Sequence, residues 1–357
     1  MAMLATTAAA SNLPNRTQMS NRELEASDAS VMHPSSNLQE KRLAIVLPAY
    51  NEAITIRGTI ENFHAAAPDA AIYVVDNNSS DATRSIASQV FSENRIKGGV
   101  IAEPRQGKGN AVRRAFLDID ADVYVLADAD LTYPAERIHD LVKPVIEGEA
   151  DMVVGDRRSG GHYASGNKRR FHNFGNSMVQ TLVNRLFHSR LVDIMSGYRA
   201  LSRAFVKTYP ILVEGFQIET DMTLHALHQR MRVKEIEIEY RDRPAGSVSK
   251  LNTLSDGARV VSTIAQILRF YRPLAFFTAL SALFAIAGFL VAIPVFSDWL
   301  DTGYIEHVPS AVLAAALEIV AFSLLGVGLV LDSVAYHERR KSELHYLSST
   351  TVRKDAG

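Results

Sequence analysis

Two carboxylates one residue apart, Asp128 and Asp130, follow directly on the apolar run Val123-Tyr124-Val125-Leu126-Ala127. Divalent cations such as Mg2+ and Mn2+ prefer oxygen ligands, and Mg2+ is commonly held by one or two carboxylates together with substrate phosphates. An Asp-x-Asp at a strand end can share such a cation, although in isolation the pattern is more often a solvated turn. Here it has company. Asp76 closes a second apolar run, Ala71–Val75, and Tyr50, Asn51 and Glu52 follow a third, Leu43–Leu47, which Pro48 ends. Polar side chains gathered at the ends of apolar runs have the distribution expected of a binding site.

The elements that must position these residues are short apolar runs of the buried-strand type. They lie at Leu43–Leu47, Ala71–Val75, Val123–Ala127 and, more weakly, Met152–Val154. Helix-like segments separate them at Ile54–Ala66, Asp81–Phe91, Asn110–Asp118 and Ala135–Glu147. Strands alternating with helices predict an α/β domain with a mostly parallel sheet. Ligands of such sheets bind beyond the carboxyl ends of the strands, where the polar residues sit.

The chain has 357 residues, enough for about two domains of ordinary size. Its 38 Lys and Arg balance 39 Asp and Glu, so nothing in the charge points to nucleic acid. Cysteine is absent, which excludes disulfides, thiolate metal sites and thiol catalysis. Residues 1–40, rich in Ala, Ser, Asn and Thr, read as a flexible cytosolic tail. A domain spanning 41–251 follows.

The last third is different. Leu274–Phe296 is 23 residues without a charge. As a helix it measures roughly 34 Å, enough for a ~30 Å hydrocarbon core. A second run, Val308–Val330, carries one acid, Glu318, which is expected to face its partner helix or another subunit. The connector Ser297–His307 has three acids and no Lys or Arg, whereas Arg269, Arg272, Arg339, Arg340 and Lys341 flank the spans. The excess of basic residues on the flanks predicts a multi-pass protein of the inner membrane, with two helices within 273–335, both termini cytosolic and a cytosolic tail at 336–357. Between domain and membrane, at 252–272, Val260, Ile264, Ile267, Leu268 and Tyr271 share one helical face opposite Arg259, Ser262, Gln266 and Arg269. That pattern suits an amphipathic helix at the membrane surface, the alternative being a helix packed on the preceding domain.

Six ordered motifs carry a resemblance. Leu47-Pro48-Ala49-Tyr50-Asn51-Glu52, Val74-Val75-Asp76-Asn77-Asn78-Ser79-Ser80-Asp81, Gly107-Lys108-Gly109-Asn110-Ala111, Asp128-Ala129-Asp130-Leu131, Ser196-Gly197-Tyr198-Arg199 and Gly246-Ser247-Val248-Ser249-Lys250-Leu251 resemble family 2 glycosyltransferases of the Rossmann-like GT-A fold. Within that family the chain is similar to the polyprenyl-phosphate glycosyltransferases, the group that includes dolichyl-phosphate mannosyltransferase, and the two C-terminal spans fit a bacterial subgroup.

The resemblance implies metal-dependent, inverting transfer of one sugar from a UDP- or GDP-sugar to polyprenyl phosphate, such as undecaprenyl phosphate, at the cytosolic face, for cell-envelope glycan or glycosylation pathways. It places Pro48, Tyr50, Glu52, Asp76, Lys108 and Asp128 on the nucleotide, and Asp128 and Asp130 on Mg2+ or Mn2+. The position where several relatives carry a further metal-approaching Gln is Thr132 here. The acceptor is already largely dianionic at neutral pH, because the second pKa of a phosphate monoester is near ~6. The site must then supply cations more than a base. The resemblance points to Arg157, which would act in catalysis as well, and to Arg170, Arg243, Ser249 and Lys250; Arg169 competes with Arg170. Asp193 and Glu219 also belong to the pattern, Asp193 as a partner for Arg199. Asp156 is either a base or a support for Arg157. A homo-oligomer, by resemblance a tetramer, is implied as well. Two other readings compete. One is a membrane glycan synthase acting on a sugar hydroxyl, which the lone Trp299, outside any acceptor motif, disfavours. The other is a non-catalytic membrane protein that binds nucleotide sugar.

Overall fold

The computed structural model describes residues 41–159, 170–214, 217–244 and 256–351. The expected N-terminal tail therefore lies outside the described residues, as do Arg169, Ser249 and Lys250.

A seven-stranded sheet organises residues 43–237. Its strands are β1 (Leu43–Ala49), β2 (Ala71–Asp76), β3 (Gly98–Ala102), β4 (Val123–Leu126), β5 (Met152–Asp156), β6 (Arg199–Ser202) and β7 (Val233–Glu237), in the spatial order β3-β2-β1-β4-β6-β5-β7. All pairings are parallel except those of β6, which runs antiparallel to both β4 and β5. The chain winds outward from β1 through β2 to β3 and then returns to place β4 on the other side of β1. That reversal opens a crevice between the carboxyl ends of β1 and β4.

Side chains alternate along each strand, and β1 shows the consequence. Ile45, Leu47 and Ala49 enter one core, while Ala44 and Val46 enter another. Helices α1 (Ile56–Ala66), α2 (Thr83–Asn94) and α4 (Ile138–Ile146) cover the first face through Ile60, Phe63, Val90 and Leu141. Helices α3 (Lys108–Asp118), α6 (Arg203–Thr208) and α7 (Ile218–His228) cover the second through Val112, Phe116, Phe205 and Met222. A sheet buried on both faces explains why its strands read as continuous apolar runs.

A third core joins α5 (Arg170–Phe187) and α7 to α8 (Asp256–Tyr271): Val179, Val183, Leu224 and Ile267 are buried together, with Ile264 and Tyr271 against them. The apolar stripe of α8 thus rests in good part on protein, while Phe270 stays exposed. Helix α9 (Pro273–Thr302) and helix α10 (Val308–Thr351) form an antiparallel hairpin, each long and apolar enough to cross a membrane. Phe289 and Phe322 are 63% and 80% exposed, so these are not core helices of a water-soluble fold. Gly303, at φ +71°, ends α9 with its N–H bonded to the Trp299 carbonyl. Gly288 lets the helices approach, for a Cβ there would lie 2.8 Å from a carboxylate oxygen of Glu318. Glu318 thus lies against its partner helix. Helix α10 does not stop at Val330; it continues through residue 351, so the described part of the segment read as a tail is helical.

Candidate active site

The crevice gathers the residues singled out above. Parallel register sets Ala49 beside Asp76 and Val46 beside Leu126, so Tyr50, Glu52, Asp76, Asp128 and Asp130 all emerge at one end of three neighbouring strands. Asp76 is buried and accepts a 3.3 Å hydrogen bond from the Ser79 N–H. The Tyr50 hydroxyl accepts one from Gln106 at 3.2 Å, which brings the loop before α3 to the rim.

Each of the paired carboxylates carries a protein cation. The Lys108 ammonium donates to Asp128 and, at 2.5 Å, to Glu219. Burial disfavours the ammonium charge, but the two carboxylates outweigh it and raise the Lys108 pKa. Arg243 pairs with Asp130 at 2.5 Å and lies 3.7 Å from Glu52. Asp130 is almost fully buried, and burial, followed by the neighbouring Asp128 charge, pushes its pKa up. Thr132 donates to Asp130 through its hydroxyl at 2.5 Å and its N–H at 3.1 Å, so it orients that carboxylate.

Local sequence explains how Lys108 and Glu219 meet. Gly107 begins α3 at φ +127°, a conformation that favours glycine. At Gly109 a Cβ would lie 1.9 Å from the Val213 carbonyl oxygen, and the Gly109 N–H bonds the Glu214 carbonyl at 2.9 Å. The glycines on either side of Lys108 thus admit the backbone that leads into α7, whose Glu219 then reaches Lys108. Gly197 serves the same crevice: a Cβ there would sit 3.0 Å from Asp128 and 3.1 Å from the Lys108 ammonium.

Arg157 lies next to this centre with its fork engaged. Its Nε and Nη2 donate to the two oxygens of Asp193 at 2.7 and 3.0 Å, and the guanidinium lies over the Tyr240 ring. Burial opposes the Asp193 charge, but Arg157 outweighs it and holds that carboxyl below its ordinary range. The Tyr133 hydroxyl joins the two groups, accepting from the Gly197 N–H at 2.8 Å and lying 3.5 Å from Arg157 Nη1.

Two sequence expectations are corrected here. Asp193 does not pair with Arg199. Arg199 is completely buried and donates to the carbonyls of Ile194 and Ser196 and to Thr223, a structural role in which backbone oxygens replace a counter-charge. Asp156 neither faces Arg157 nor stands ready as a base; it accepts from the N–H groups of Arg158 and Ser159 and from the Ser159 hydroxyl, fixing the turn after β5. Arg170 opens α5, and no position for its side chain is described. Glu219 and Gly197 lay within the family resemblance without an assigned role, and Tyr133 and Tyr240 had no part in the sequence reading. Only the glycine spacing around Lys108 hinted that another segment must press close.

Among the described residues no three His, Asp or Glu side chains gather into a metal cage. The donor set is instead two carboxylates, one buried and burdened by its neighbour's charge, one 32% exposed toward the crevice. That set fits a hard divalent cation completing its shell with substrate phosphate and water.

Comparisons with known proteins bear on the family and the fold. Residues 44–209 match Glycosyl transferase family 2. An uncharacterized protein of Shigella flexneri is 39% identical over 155 residues, covering 43% of this chain and 95% of that one. The undecaprenyl-phosphate mannosyltransferase of Micrococcus luteus is 28% identical over 62% of this chain and 92% of its own. Among solved structures, glucosyl-3-phosphoglycerate synthase of Mycobacterium tuberculosis superposes with a TM-score of 0.50 at 21% identity, covering 64% of this chain and 80% of that one, which shows a shared fold. The chain belongs to Glycosyl transferase family 2 and is a glycosyltransferase.

Proposed function

We propose that the protein transfers one sugar from a UDP- or GDP-sugar to polyprenyl phosphate at the cytosolic face of the inner membrane, with inversion and with Mg2+ or Mn2+ at Asp128 and Asp130. The observation that carries this reading is a carboxylate pair at the strand-switch crevice, in a domain joined through α8 to an apolar hairpin. A lipid acceptor suits that attachment, and the Micrococcus luteus relative is named for such an acceptor.

The metal, when bound, supplies Lewis-acid neutralisation of the leaving diphosphate. The chain does the rest. Pro48, Tyr50, Glu52 and Asp76 line the side of the crevice where the nucleotide is placed. Lys108, held by Glu219, brings a further positive charge to the diphosphate. Arg157, kept in place by Asp193 and Tyr240, and Arg243 draw the acceptor phosphate toward the donor, with Arg170, Ser249 and Lys250 as further contacts. A phosphate monoester attacks as the dianion it already is, so no side chain is required as base.

The test is incubation of the purified full-length protein with a panel of nucleotide sugars and undecaprenyl phosphate, with and without EDTA. One sugar should appear on the lipid, and EDTA should abolish the transfer. Sugar added to a glycan hydroxyl and never to lipid phosphate would overturn the assignment.

A further inference from the structure

Three helices end at one place. Phe187, His228 and Tyr271 are the last residues of α5, α7 and α8, and their rings meet edge to face at centroid separations of 5.1 to 6.5 Å. The apolar hairpin begins directly beyond, and it brings two arginines to this junction. Arg339 of α10 lies 3.4 Å from the Tyr271 carbonyl, and Arg272, the next residue in the chain, donates to the Leu186 carbonyl at 3.0 Å. After burial, both guanidinium charges help to lower the pKa of His228, so the three groups share one local field. The helix carbonyl ends offset part of that charge, each carrying about half an elementary charge. A guanidinium has five N–H donors, yet among the described residues each of these two side chains has one carbonyl and no carboxylate. The buried Nε of Arg339 has no acceptor there. Asp221, the acid whose charge reaches Tyr271, takes the Tyr209 hydroxyl at 2.7 Å. Lys341, by contrast, is paired with Glu338 at 2.7 Å.

The surroundings suit a bilayer surface. Phe270, beside Tyr271, is 65% exposed, and the Arg269 guanidinium lies 5.6 Å from its ring centroid. An exposed aromatic ring among cations at the base of an apolar hairpin fits the headgroup zone, where the ring enters the acyl boundary and the cations meet phosphate. We infer that Arg272 and Arg339 form a binding site for the phosphate headgroup of an anionic phospholipid, in the leaflet that faces the domain, and that this lipid completes the joint between domain and hairpin. The physical reason is charge complementarity: two guanidinium groups lack a protein anion, and the hairpin leads lipid phosphate to them. The occupant is a resident phospholipid and not the sugar acceptor. His228 lies at the opposite end of α7 from Glu219, and their nine-residue separation is roughly 14 Å of helix. A phosphate held at this junction is too far away to react in the crevice. The inference needs the hairpin in a membrane but not the identity of the acceptor.

The test uses the full-length protein in nanodiscs of phosphatidylcholine, with or without phosphatidylglycerol, and reads the thermal midpoint of unfolding. Phosphatidylglycerol should raise the midpoint of the native protein by several degrees. Arg339→Gln and Arg272→Gln should each lose most of that gain. Arg340→Gln, which removes an equal charge from an exposed neighbouring position, should keep it. No gain in the native protein overturns the inference. An equal loss in all three variants overturns it too, by assigning the effect to diffuse surface charge. Where the variants fail to fold, the native protein in detergent carries the test alone. Calorimetric titration with short-chain phosphatidylglycerol should show saturable binding roughly fivefold or more tighter than short-chain phosphatidylcholine, as expected for basic residues at an anionic surface. Equal binding of the two lipids, or none, defeats the site. Displacement of the phosphatidylglycerol by a lower concentration of short-chain polyprenyl phosphate gives the site to the acceptor and overturns the phospholipid assignment. None of these readouts uses sugar transfer, so failure of the proposed reaction and failure of this inference are separately visible.

Discussion

At the scale of single residues, the proposed chemistry turns on how four charges share a crevice. Asp130 is buried, aligned by Thr132 and neutralised by Arg243. On the metal site proposed above, Asp130→Asn keeps the shape but removes one of the charges that would hold the cation, so turnover should fall roughly 100-fold or more with the fold intact. Steady-state kinetics alongside circular dichroism checks both halves of that statement. Glu219 acts one step back. It shares Lys108 with Asp128, and Glu219→Gln leaves the ammonium to Asp128 alone. The metal then competes with a more firmly seated cation. The Mn2+ concentration for half-maximal activity should rise several-fold while the rate at saturating Mn2+ largely recovers. A metal titration separates this from a merely structural defect, which would lower the rate at every concentration.

At the scale of elements, α7 links the proposed catalytic centre to α8, which leads into the apolar hairpin. Glu219 is in its first turn, and His225 and His228 are in its last. The His225 ring packs against Phe205 and Tyr209 at centroid separations of 5.6 and 5.1 Å, and its buried Nε2 has no hydrogen-bond partner among the described residues. Burial lowers its pKa to about 4, and burial likewise lowers that of His228, which meets Tyr271 of α8 edge to face, to about 4. A histidine whose folded pKa lies below its unfolded value of ~6.5 must stay neutral for the fold to persist. Its contribution is complete above pH ~6.5 and is lost as pH falls toward 4. The thermal midpoint of the protein in detergent should therefore drop across that window at constant ionic strength. His225→Phe, which keeps the aromatic contacts and cannot take up a proton, should flatten the drop. An identical slope in the variant would assign the acid sensitivity to other groups.

At the scale of the whole molecule, the catalytic domain and the hairpin are connected by more than the chain. Arg272, at the start of α9, donates to the Leu186 carbonyl near the end of α5 at 3.0 Å, and Arg339 of α10 lies 3.4 Å from the Tyr271 carbonyl that ends α8. These cations sit where helix carbonyls lack partners, and they hold the domain to the base of the hairpin. The same basic residues set the proposed topology. With both termini cytosolic, a Cys placed at Thr302 should react with an impermeant thiol reagent in whole cells, and one at Ser348 should not. The absence of native cysteine makes the readout clean. Reversed labelling would place the catalytic domain away from the cytosolic supply of nucleotide sugars.

The sequence by itself determined the features that depend on neighbours in the chain. The strands β1, β2, β4 and β5 were legible as apolar runs, their polar terminators marked the crevice, and two uncharged stretches marked the hairpin, because burial by a sheet or a bilayer imposes a local pattern. Strand β3 was not legible: its Gly98 and Gly99 carry no apolar signal, and Gly98 is needed because a Cβ would meet the Ile72 carbonyl oxygen at 1.8 Å. Nor were β6 and β7 legible, since β6 is four residues long and β7, Val233-Lys234-Glu235-Ile236-Glu237 at the sheet edge, breaks both an apolar run and a two-residue alternation with its adjacent charges. What only the tertiary structure decided were pairings between distant segments. Lys108 meets Glu219 across 111 positions, Asp193 takes Arg157 in preference to Arg199 across 36, and the stripe of α8 is covered by α5 and α7. Charge and apolar faces name the need for a partner, but which partner satisfies it depends on the backbone path that brings the two within reach.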